Sequence, residues 1–369
     1  MVEIAQQTSL RPVINLSGPL TMYGSSISSQ AVADATAQSL LHHWDMDALS
    51  RRTGDLIARW SGAEAGMLTS SSASGMTLSA AACMTGLDIG RVGQLPDTNG
   101  MRNEVVIQKG HAVNFGAPLE QVLRLAGATV REVGTVNQTT PAAIRHALGQ
   151  NTAAAVFVIS HHTVQYGYVG LEEFVALCHE SEVPVIVDAA AQDLQIERIV
   201  ASGADLIVMS VQKYLSGPTA GIVCGKSDLV KAVEWQSQGI GRTMKVGKEG
   251  YFGTIAALEE RISTNLADWE QKQYEKTAYL AGILQGLPGV RVSIEKDKVG
   301  QPVHRVRLEI DETAAGINAE GICAALVRCT PSIKPRAHHT DEGWFLLEPV
   351  HVTSEEMDYV ARELRRIVG

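Results

Sequence analysis

The sequence has 369 residues, of which 45% are hydrophobic and 19% are charged. This length favours two domains, and the composition is typical of a well-packed globular enzyme and excludes a disordered chain. The net charge of −9, from 31 basic and 40 acidic residues, argues against a nucleic-acid partner.

Three features of the sequence indicate the cellular compartment of the protein: its apolar runs, its first residues and its cysteines. No apolar run reaches membrane-spanning length, so we predict no membrane contact. The first residues, Met-Val-Glu-Ile-Ala-Gln-Gln, show no basic segment followed by an apolar one, and we expect no signal peptide. The five cysteines are scattered and form no CxxC pair. We therefore expect reduced core thiols and a cytoplasmic protein.

The chain begins with an arm and two helical patterns. Residues 1–28 lack periodicity and predict an extended arm, which needs a surface to lie against, either a neighbouring subunit or the active site. Residues 29–49 and 51–60 are predicted to be helical. A short strand and a Ser/Gly turn follow over 66–75, and a small-residue helix is predicted over 76–84. This turn gathers free N–H groups and hydroxyls as an anion site would, although most Ser-rich turns are only turns.

Strand-like and helical segments then alternate. The apolar strands are nearly continuous, which predicts a mainly parallel sheet covered on both faces. Ligands of such sheets lie at the carboxyl ends of the strands. Polar residues that end or follow these strands are His111, Ser160, His161, Asp188, Ser210 and Lys213. Their shared placement predicts a site at this edge of the sheet.

The pattern changes in the C-terminal third. A long helix is predicted over about 251–284, and alternating strands with one polar face follow. These strands predict a small antiparallel sheet with helices on its other side. We therefore predict an N-terminal arm over 1–28, a large α/β domain over 29–255 and a small α+β domain over 256–369.

Lys213 and Asp188 carry the main chemical prediction. Lys213 lies just past a buried strand that ends in Ser210, so its amine could hold a carbonyl cofactor while the serine hydroxyl meets the cofactor's phosphate. Asp188 ends the preceding strand, and a buried carboxylate needs a cation such as a protonated pyridine nitrogen. The alternatives are a lysine in a surface turn and an aspartate that caps a helix.

Several further side chains are candidates. His111 could stack on a cofactor ring, and one of His161 and His162 could face the pocket as an acid–base group. Arg336 could bind a substrate carboxylate through its guanidinium, and Arg242 an anionic group. Each has a structural or surface role as its alternative. The histidine pairs lack helical i, i+4 spacing, so we predict no metal site.

The assembled motifs resemble a known family. The run Ala204-Asp-Leu to Ser210-x-x-Lys213, with Val187-Asp188-Ala-Ala upstream and a Ser-rich turn near residue 71, is similar to fold type I pyridoxal-phosphate enzymes. Three further segments resemble the branch related to bacterial selenocysteine synthase (SelA-like), which includes ammonia-lyases of amino-sugar acids: Val13-Ile-Asn-Leu-Ser-Gly, Gln108-Lys-Gly-His111 and Gly241-Arg-Thr-Met-Lys-Val-Gly-Lys-Glu249. The resemblance covers roughly residues 12 to 365.

The resemblance implies a role for each matched position. Lys213 matches the Schiff-base lysine, Asp188 the partner of the pyridine nitrogen, and His111 the residue that stacks on the ring. The positions that match contacts to the cofactor's phosphate are Ser71, Ser72, Ala73 and Ser210. Arg336 matches an arginine that binds a carboxylate, and sites of this fold usually form in a homodimer. The chain departs from the family's Ser-Gly-Gly-Lys at Ser210-Val-Gln-Lys213.

The resemblance also implies a reaction. We predict a pyridoxal 5'-phosphate lyase that removes the α-proton of a small amino acid or amino-sugar acid, with β-elimination to ammonia and a keto acid. A racemase or an aldolase on the same scaffold is the alternative. An aminoacyl-tRNA selenium transferase is less favoured, because the chain is acidic and we expect no added basic domain. A non-catalytic binding protein is also a less favoured alternative.

Overall fold

The computed structural model describes Thr8 and residues 10–369. Residues 1–7 and 9 lie outside the described residues. The part of the predicted arm over 1–28 that falls on them therefore stays a prediction. The described chain divides into two compact units, which we call the large unit (28–263) and the small unit (264–369 together with the described residues before 28).

The strands lie in three sheets, and the helices follow the alternation that the sequence predicts. The strands are β1 (Val13–Leu16), β2 (Ala65–Thr69), β3 (Glu104–Gln108), β4 (Thr129–Val133), β5 (Thr152–Val158), β6 (Val185–Asp188), β7 (Leu206–Ser210), β8 (Gly221–Gly225), β9 (Val290–Lys296), β10 (His304–Ile310), β11 (Ser332–Pro335) and β12 (Trp344–Leu347). The α-helices are α1 (Gln30–Ser39), α2 (Met46–Ser61), α3 (Ser72–Thr85), α4 (Ile89–Gln94), α5 (Leu119–Arg124), α6 (Pro141–Ala147), α7 (Leu171–His179), α8 (Ile196–Ala201), α9 (Ser227–Trp235), α10 (Lys248–Ser263), α11 (Leu266–Ile283), α12 (Glu312–Ala315), α13 (Ala319–Val327) and α14 (Ser354–Val368).

The large unit is built on a seven-stranded sheet in the order β2-β8-β7-β6-β5-β3-β4. Strand β8 runs antiparallel to β2 and to β7, and the other neighbouring strands are parallel. Hydrophobic cores cover both faces, because Val106 belongs to one buried cluster while Val105 and Ile107 belong to the other. The prediction of a mainly parallel sheet covered on both faces is confirmed.

Two predicted helices are interrupted in the structure. The helix predicted over 29–49 ends at Ser39, and α2 begins only at Met46, because the Asp45 carboxylate accepts hydrogen bonds from two amides of its first turn. The helix predicted over 251–284 is divided into α10 and α11, where Asn265 caps the second helix in the same way. Helix α10 also runs through the predicted domain boundary at 255/256, and the large unit ends at residue 263.

The small unit contains an antiparallel sheet in the order β12-β10-β9 and a parallel pair, β1 with β11. Strand β1 comes from the predicted arm. Its apolar residues Ile14 and Leu16 are buried in the core of the small unit, at 3% and 0% exposure. This part of the arm therefore lies against a strand of its own chain, whereas the sequence predicted a neighbouring subunit or the active site.

The small α+β part of the fold prediction is confirmed by this sheet and the helices that follow it. In the described part of the chain, no helix combines the length and the apolar character needed to cross a membrane.

Candidate active site

Lys213 lies in a tight turn between β7 and β8, at the carboxyl end of β7. Backbone hydrogen bonds close this turn: the Val211 amide donates to the Ala220 carbonyl at 2.9 Å, and the Gly217 amide to the Val211 carbonyl at 3.0 Å. The Gln212 side chain spans the same turn, because its Oε1 accepts from the Ala220 amide at 3.3 Å. The glutamine that departs from the family pattern thus helps to hold the turn that carries Lys213.

Lys213 and Asp188 are electrostatic neighbours. Burial lowers the pKa of the Lys213 ammonium, and the Asp188 and Asp193 carboxylates oppose this shift. Burial raises the pKa of Asp188, which is 8% exposed, while Lys213 and the Ala190 amide, which donates to its Oδ1 at 3.2 Å, oppose that rise. The strand ends of β6 and β7 thus bring together the two residues that the sequence singled out.

The Ser-rich turn is the N-terminal turn of α3, which begins at Ser72, four residues earlier than predicted. Ser71 is the N-cap, and its Oγ accepts from the Ser74 amide at 3.1 Å. Ala73 is the second residue of the helix. The Ser210 hydroxyl at the end of β7 donates to the Ser72 hydroxyl at 2.9 Å, which joins residues 138 positions apart. The amides of a helix start and these hydroxyls make a site suited to an anion.

His111 is buried at 1% exposure in a short 3-10 helix directly after β3. Its Nδ1 accepts a hydrogen bond from the Val158 amide at 3.2 Å, so the proton of the neutral ring is on Nε2. Burial lowers its pKa to about 4. The ring packs at 4.5 Å from Phe157 and at 5.3 Å from Tyr168, between centroids. His111 is therefore a neutral, fixed ring at the carboxyl edge of the sheet.

The remaining candidates lie in loops or in the other unit. His161 follows β5 and is half-buried, whereas His162 is exposed. Arg242 is exposed in a 3-10 helix over Ile240–Met244. Arg336 belongs to the small unit, where its backbone pairs with Leu346 and its Nη1 donates to the Ser17 carbonyl at 3.5 Å. The roles of His161, Arg242 and Arg336 stay predictions.

Asp193 and Arg261 are two further residues near Lys213 that were not predicted from the sequence. Asp193 lies in the segment after β6, the strand that Asp188 ends, and Arg261 lies near the end of α10. The Arg261 Nη2 lies 3.4 Å from Asp193 Oδ2 and donates to the Tyr214 carbonyl, next to Lys213, at 2.5 Å. An acid five residues past Asp188 could have been noticed in the sequence, but no local pattern links residue 261 to residue 214.

Among the described residues, no group of three or more His, Cys, Asp or Glu side chains is arranged to hold a metal ion. The groups available at this edge of the sheet are the Lys213 amine, the buried carboxyls of Asp188 and Asp193, the neutral His111 imidazole and a hydroxyl-lined helix start.

This sheet, with its single antiparallel strand and the lysine past β7, defines the class of fold type I pyridoxal-phosphate enzymes. A solved structure of D-glucosaminate-6-phosphate ammonia-lyase superposes with a TM-score of 0.89 at 35% identity, over 99% of this chain and 98% of that one. The Thermus thermophilus aspartate aminotransferase double mutant shares the fold alone, with a TM-score of 0.56 at 16% identity over 99% of this chain and 94% of that one. The fold prediction is confirmed.

The family model for L-seryl-tRNA selenium transferase (SelA) matches residues 13–298, and the chain belongs to this family. It is 36% identical to the D-glucosaminate-6-phosphate ammonia lyase of Salmonella typhimurium (strain 14028s / SGSC 2262), over 99% of this chain and 97% of that protein. It is also 36% identical to a 5'-C-glycyluridine monooxygenase-decarboxylase of a Streptomyces species, over 98% and 91%.

A more distant relative is the L-seryl-tRNA(Sec) selenium transferase of Escherichia coli O139:H28 (strain E24377A / ETEC). The identity is 31%, over 69% of this chain and 57% of that protein. The resemblance to the selenocysteine-synthase branch, stated from the motifs, is confirmed.

Proposed function

We propose that this chain is a pyridoxal-phosphate-dependent lyase that removes the α-proton of a small amino acid or amino-sugar acid. The Cα–H bond and the bond to a β-substituent break, and hydrolysis of the resulting enamine yields a keto acid and ammonia. The observation that carries the proposal is the pairing of a half-buried Lys213 with a buried Asp188, at the sheet edge where Ser210 of β7 also contacts Ser72 at the start of α3. The identity to an ammonia lyase over 99% of the chain supports the reaction class.

The residues present fit pyridoxal phosphate. Lys213 would hold its aldehyde carbon, Asp188 its ring nitrogen, and His111 one face of its ring. The phosphate would lie against the start of α3 and the hydroxyl of β7, with Ser71, Ser72, Ala73 and Ser210 as its contacts. The amides of that helix start are suited to an anion, and the buried Asp188 carboxylate is suited to a cation; the cofactor offers a phosphate to the first and a protonated ring nitrogen to the second. When bound, the cofactor supplies a sink for the electron pair that remains on Cα.

Lys213 is the proposed base. Because burial lowers its pKa, more of its amine is neutral near pH 7 than in an exposed lysine, and a neutral Nζ can accept the α-proton of the substrate. Arg336, Arg242 and His161 are the proposed substrate-binding residues. A guanidinium suits a carboxylate or a phosphate because it donates two parallel hydrogen bonds.

The proposal includes a cytoplasmic homodimer with no nucleic-acid partner. The cysteines of the described chain are free thiols, which supports a reducing compartment: Cys83, Cys178, Cys224, Cys323 and Cys329. The net charge of −9 disfavours tRNA, although the family includes a tRNA-dependent enzyme. Racemisation and aldol cleavage begin with the same proton abstraction and stay the alternatives.

The first experiment is incubation of the purified chain with pyridoxal phosphate. Wild type is expected to develop an absorbance band near the visible edge, and borohydride is expected to fix the cofactor to Lys213. Lys213→Ala should do neither, whereas Lys231→Ala, which removes an exposed lysine of α9, should behave as wild type. A wild-type chain that binds no cofactor contradicts the proposal.

The second experiment separates the reactions. The loaded enzyme is incubated with D-glucosaminate 6-phosphate, its unphosphorylated form and a panel of amino acids. β-Elimination produces ammonia and a keto acid in equal amounts, and this is the expected result. Inverted chirality without ammonia would indicate a racemase, and carbon dioxide would indicate decarboxylation, which the name of the Streptomyces relative includes. Either result overturns the lyase assignment and leaves the cofactor assignment intact.

A further inference from the structure

Arg261 is a largely buried cation that contacts two different loops. It lies on α10, and only 9% of its side chain is exposed. Its guanidinium donates to the backbone carbonyl of Tyr214, the residue directly after Lys213, and its Nη2 lies 3.4 Å from Asp193 Oδ2. One side chain therefore joins the loop after β6 to the turn after β7.

Asp193 has a buried carboxyl group that interacts electrostatically with Lys213. Its side chain is 2% exposed, and it lies in a 3-10 helix over Asp193–Gln195. Burial raises the pKa of this carboxyl, and Arg261 and then Lys213 oppose the rise. In turn, the carboxylates of Asp188 and Asp193 both favour the protonated form of Lys213. Two acids thus act electrostatically on Lys213, and Arg261 forms an ion pair with the second of them, Asp193.

We propose that Arg261 is a positioning residue for Lys213, which fixes the lysine turn through the Tyr214 carbonyl and neutralises Asp193 so that this carboxylate does not pair with the lysine amine. The proposal rests on the assigned role of Lys213 as the cofactor-binding amine. In this arrangement Asp188 would pair with the ring nitrogen of the cofactor, and Asp193 pairs with the guanidinium of Arg261.

The physical reason is the cost of burying unpaired charge. A buried carboxylate that loses its cation takes up a proton or finds another cation, and Lys213 is the other cation near Asp193. An ammonium held by Asp193 cannot act as a nucleophile or a base, because it has no lone pair. An arginine suits the task because its guanidinium stays protonated and can serve a carboxylate and a carbonyl together.

The chain offers a matched control. Arg52 of α2 pairs with Glu259 of α10 at 3.8 Å, and both side chains are exposed, at 71% and 53%. Arg52→Met removes an arginine–carboxylate pair from the same helix without leaving a buried charge. Arg261→Met, Arg261→Lys, Asp193→Asn and the double variant Arg261→Met/Asp193→Asn complete the set.

The test measures how fast Lys213 reacts with an acylating reagent in the full-length chain without cofactor. Mass spectrometry of the Lys213 peptide gives the rate at each pH. In Arg261→Met the apparent pKa of Lys213 is expected to rise by about one unit, which lowers the rate at fixed pH by about tenfold. In the double variant the reaction rate of Lys213 is expected to lie within about threefold of the wild-type rate. The same is expected for Arg261→Lys and for Arg52→Met.

The outcomes separate positioning from bulk stability. A structural pair alone would leave the Lys213 pKa unchanged in Arg261→Met, and that result overturns the proposal. If Arg261→Met does not fold, Asp193→Asn decides: its rate is expected to be at least about threefold faster than that of wild type, and an unchanged rate overturns the proposal. Formation of the cofactor linkage at Lys213 is measured separately in wild type. A failure of the proposed function is therefore distinguishable from a failure of the role proposed for Arg261.

Discussion

Because the His111 imidazole is buried, the stability of the folded protein is expected to depend on pH. The unfolded chain binds a proton at this ring below a pKa of 6.5, whereas the folded protein does so only below about 4. Between these values the unfolded state holds more protons, so the free energy of unfolding falls as the pH is lowered from 6.5 to 4. His111→Gln keeps an acceptor for the Val158 amide and removes this titration. The difference in unfolding free energy between wild type and variant should shrink by up to about 3 kcal/mol over that range.

The measurement is urea unfolding of both proteins at several pH values between 4 and 7. The exposed His146 of α6, changed to Gln, controls for the substitution itself. A difference that stays constant from pH 7 to pH 4 would contradict a buried neutral imidazole.

At the scale of single residues, the sequence predicted those candidate site residues whose position follows from a local pattern. Lys213, Asp188, Ser210 and His111 all end or follow apolar strands, and the edge of a parallel sheet gathers such residues without further information. The structure places them there. Arg261 could not be found in this way, because its contact with Tyr214 spans 47 positions and depends on the path of α10. The sequence likewise did not decide between His161 and His162; the structure leaves His162 exposed and His161 half-buried.

At the scale of elements, the start of α3 depends on a glycine in β8. A Cβ at Gly221 would lie 2.3 Å from the Ser71 carbonyl oxygen and 2.4 Å from Thr69 Oγ1. Real Cβ atoms do not approach backbone this closely, so β8 can pass the Ser-rich turn only at a residue without a side chain. The glycine thus sets the distance between the sheet and the proposed phosphate site.

Gly221→Ala is therefore expected to push the turn away from β8. We expect a loss of about 1–3 kcal/mol of stability and a weaker affinity for pyridoxal phosphate, because the Ser71 and Ser72 amides move. Urea unfolding and a titration with the cofactor measure the two effects. Gly282→Ala in α11 is the control, since nothing lies within 4 Å of its Cβ, and it should be neutral or slightly stabilising. Wild-type affinity in Gly221→Ala would show that the turn does not hold the phosphate.

The elements themselves were predictable where periodicity is strong. Strands β5, β6 and β7 are buried at every position and appear in the sequence as continuous apolar runs. Helix ends were less predictable, because a cap is a single side chain. Asp45 and Asn265 each interrupt a run whose apolar spacing continues across them, and their carboxylate and amide oxygens accept from the amides of a new helix.

At the scale of the whole molecule, the small unit is closed by a strand from the other end of the chain. Strand β1 pairs in parallel with β11, and the Ser17 hydroxyl donates to the carbonyls of Lys334 and Pro335 at 2.9 and 2.7 Å. The sequence showed that an extended arm needs a surface, but not which surface. Pairing between residues more than 300 positions apart leaves no local pattern, because only the finished fold brings the two strands together.

Deletion of residues 1–17 from the full chain should therefore destabilise the small unit. The deletion removes Ile14 and Leu16 from the core and leaves the polar backbone of β11 without its partner strand. We expect a loss of about 4 kcal/mol or more, since each buried aliphatic side chain contributes about 2–5 kcal/mol. Limited proteolysis should then cut within 264–369 faster than within 28–263.

Two point variants test the same strand without a truncation. Ile14→Ala removes a buried side chain, whereas Val13→Ala shortens a neighbour that is 36% exposed on the other face of β1. Ile14→Ala should cost about 2–4 kcal/mol and Val13→Ala less than about 1 kcal/mol, in thermal or urea unfolding of the full chain. Equal effects of the two variants would mean that β1 contributes through its backbone alone. Wild-type stability of the deletion would mean that residues 264–369 form their core without it.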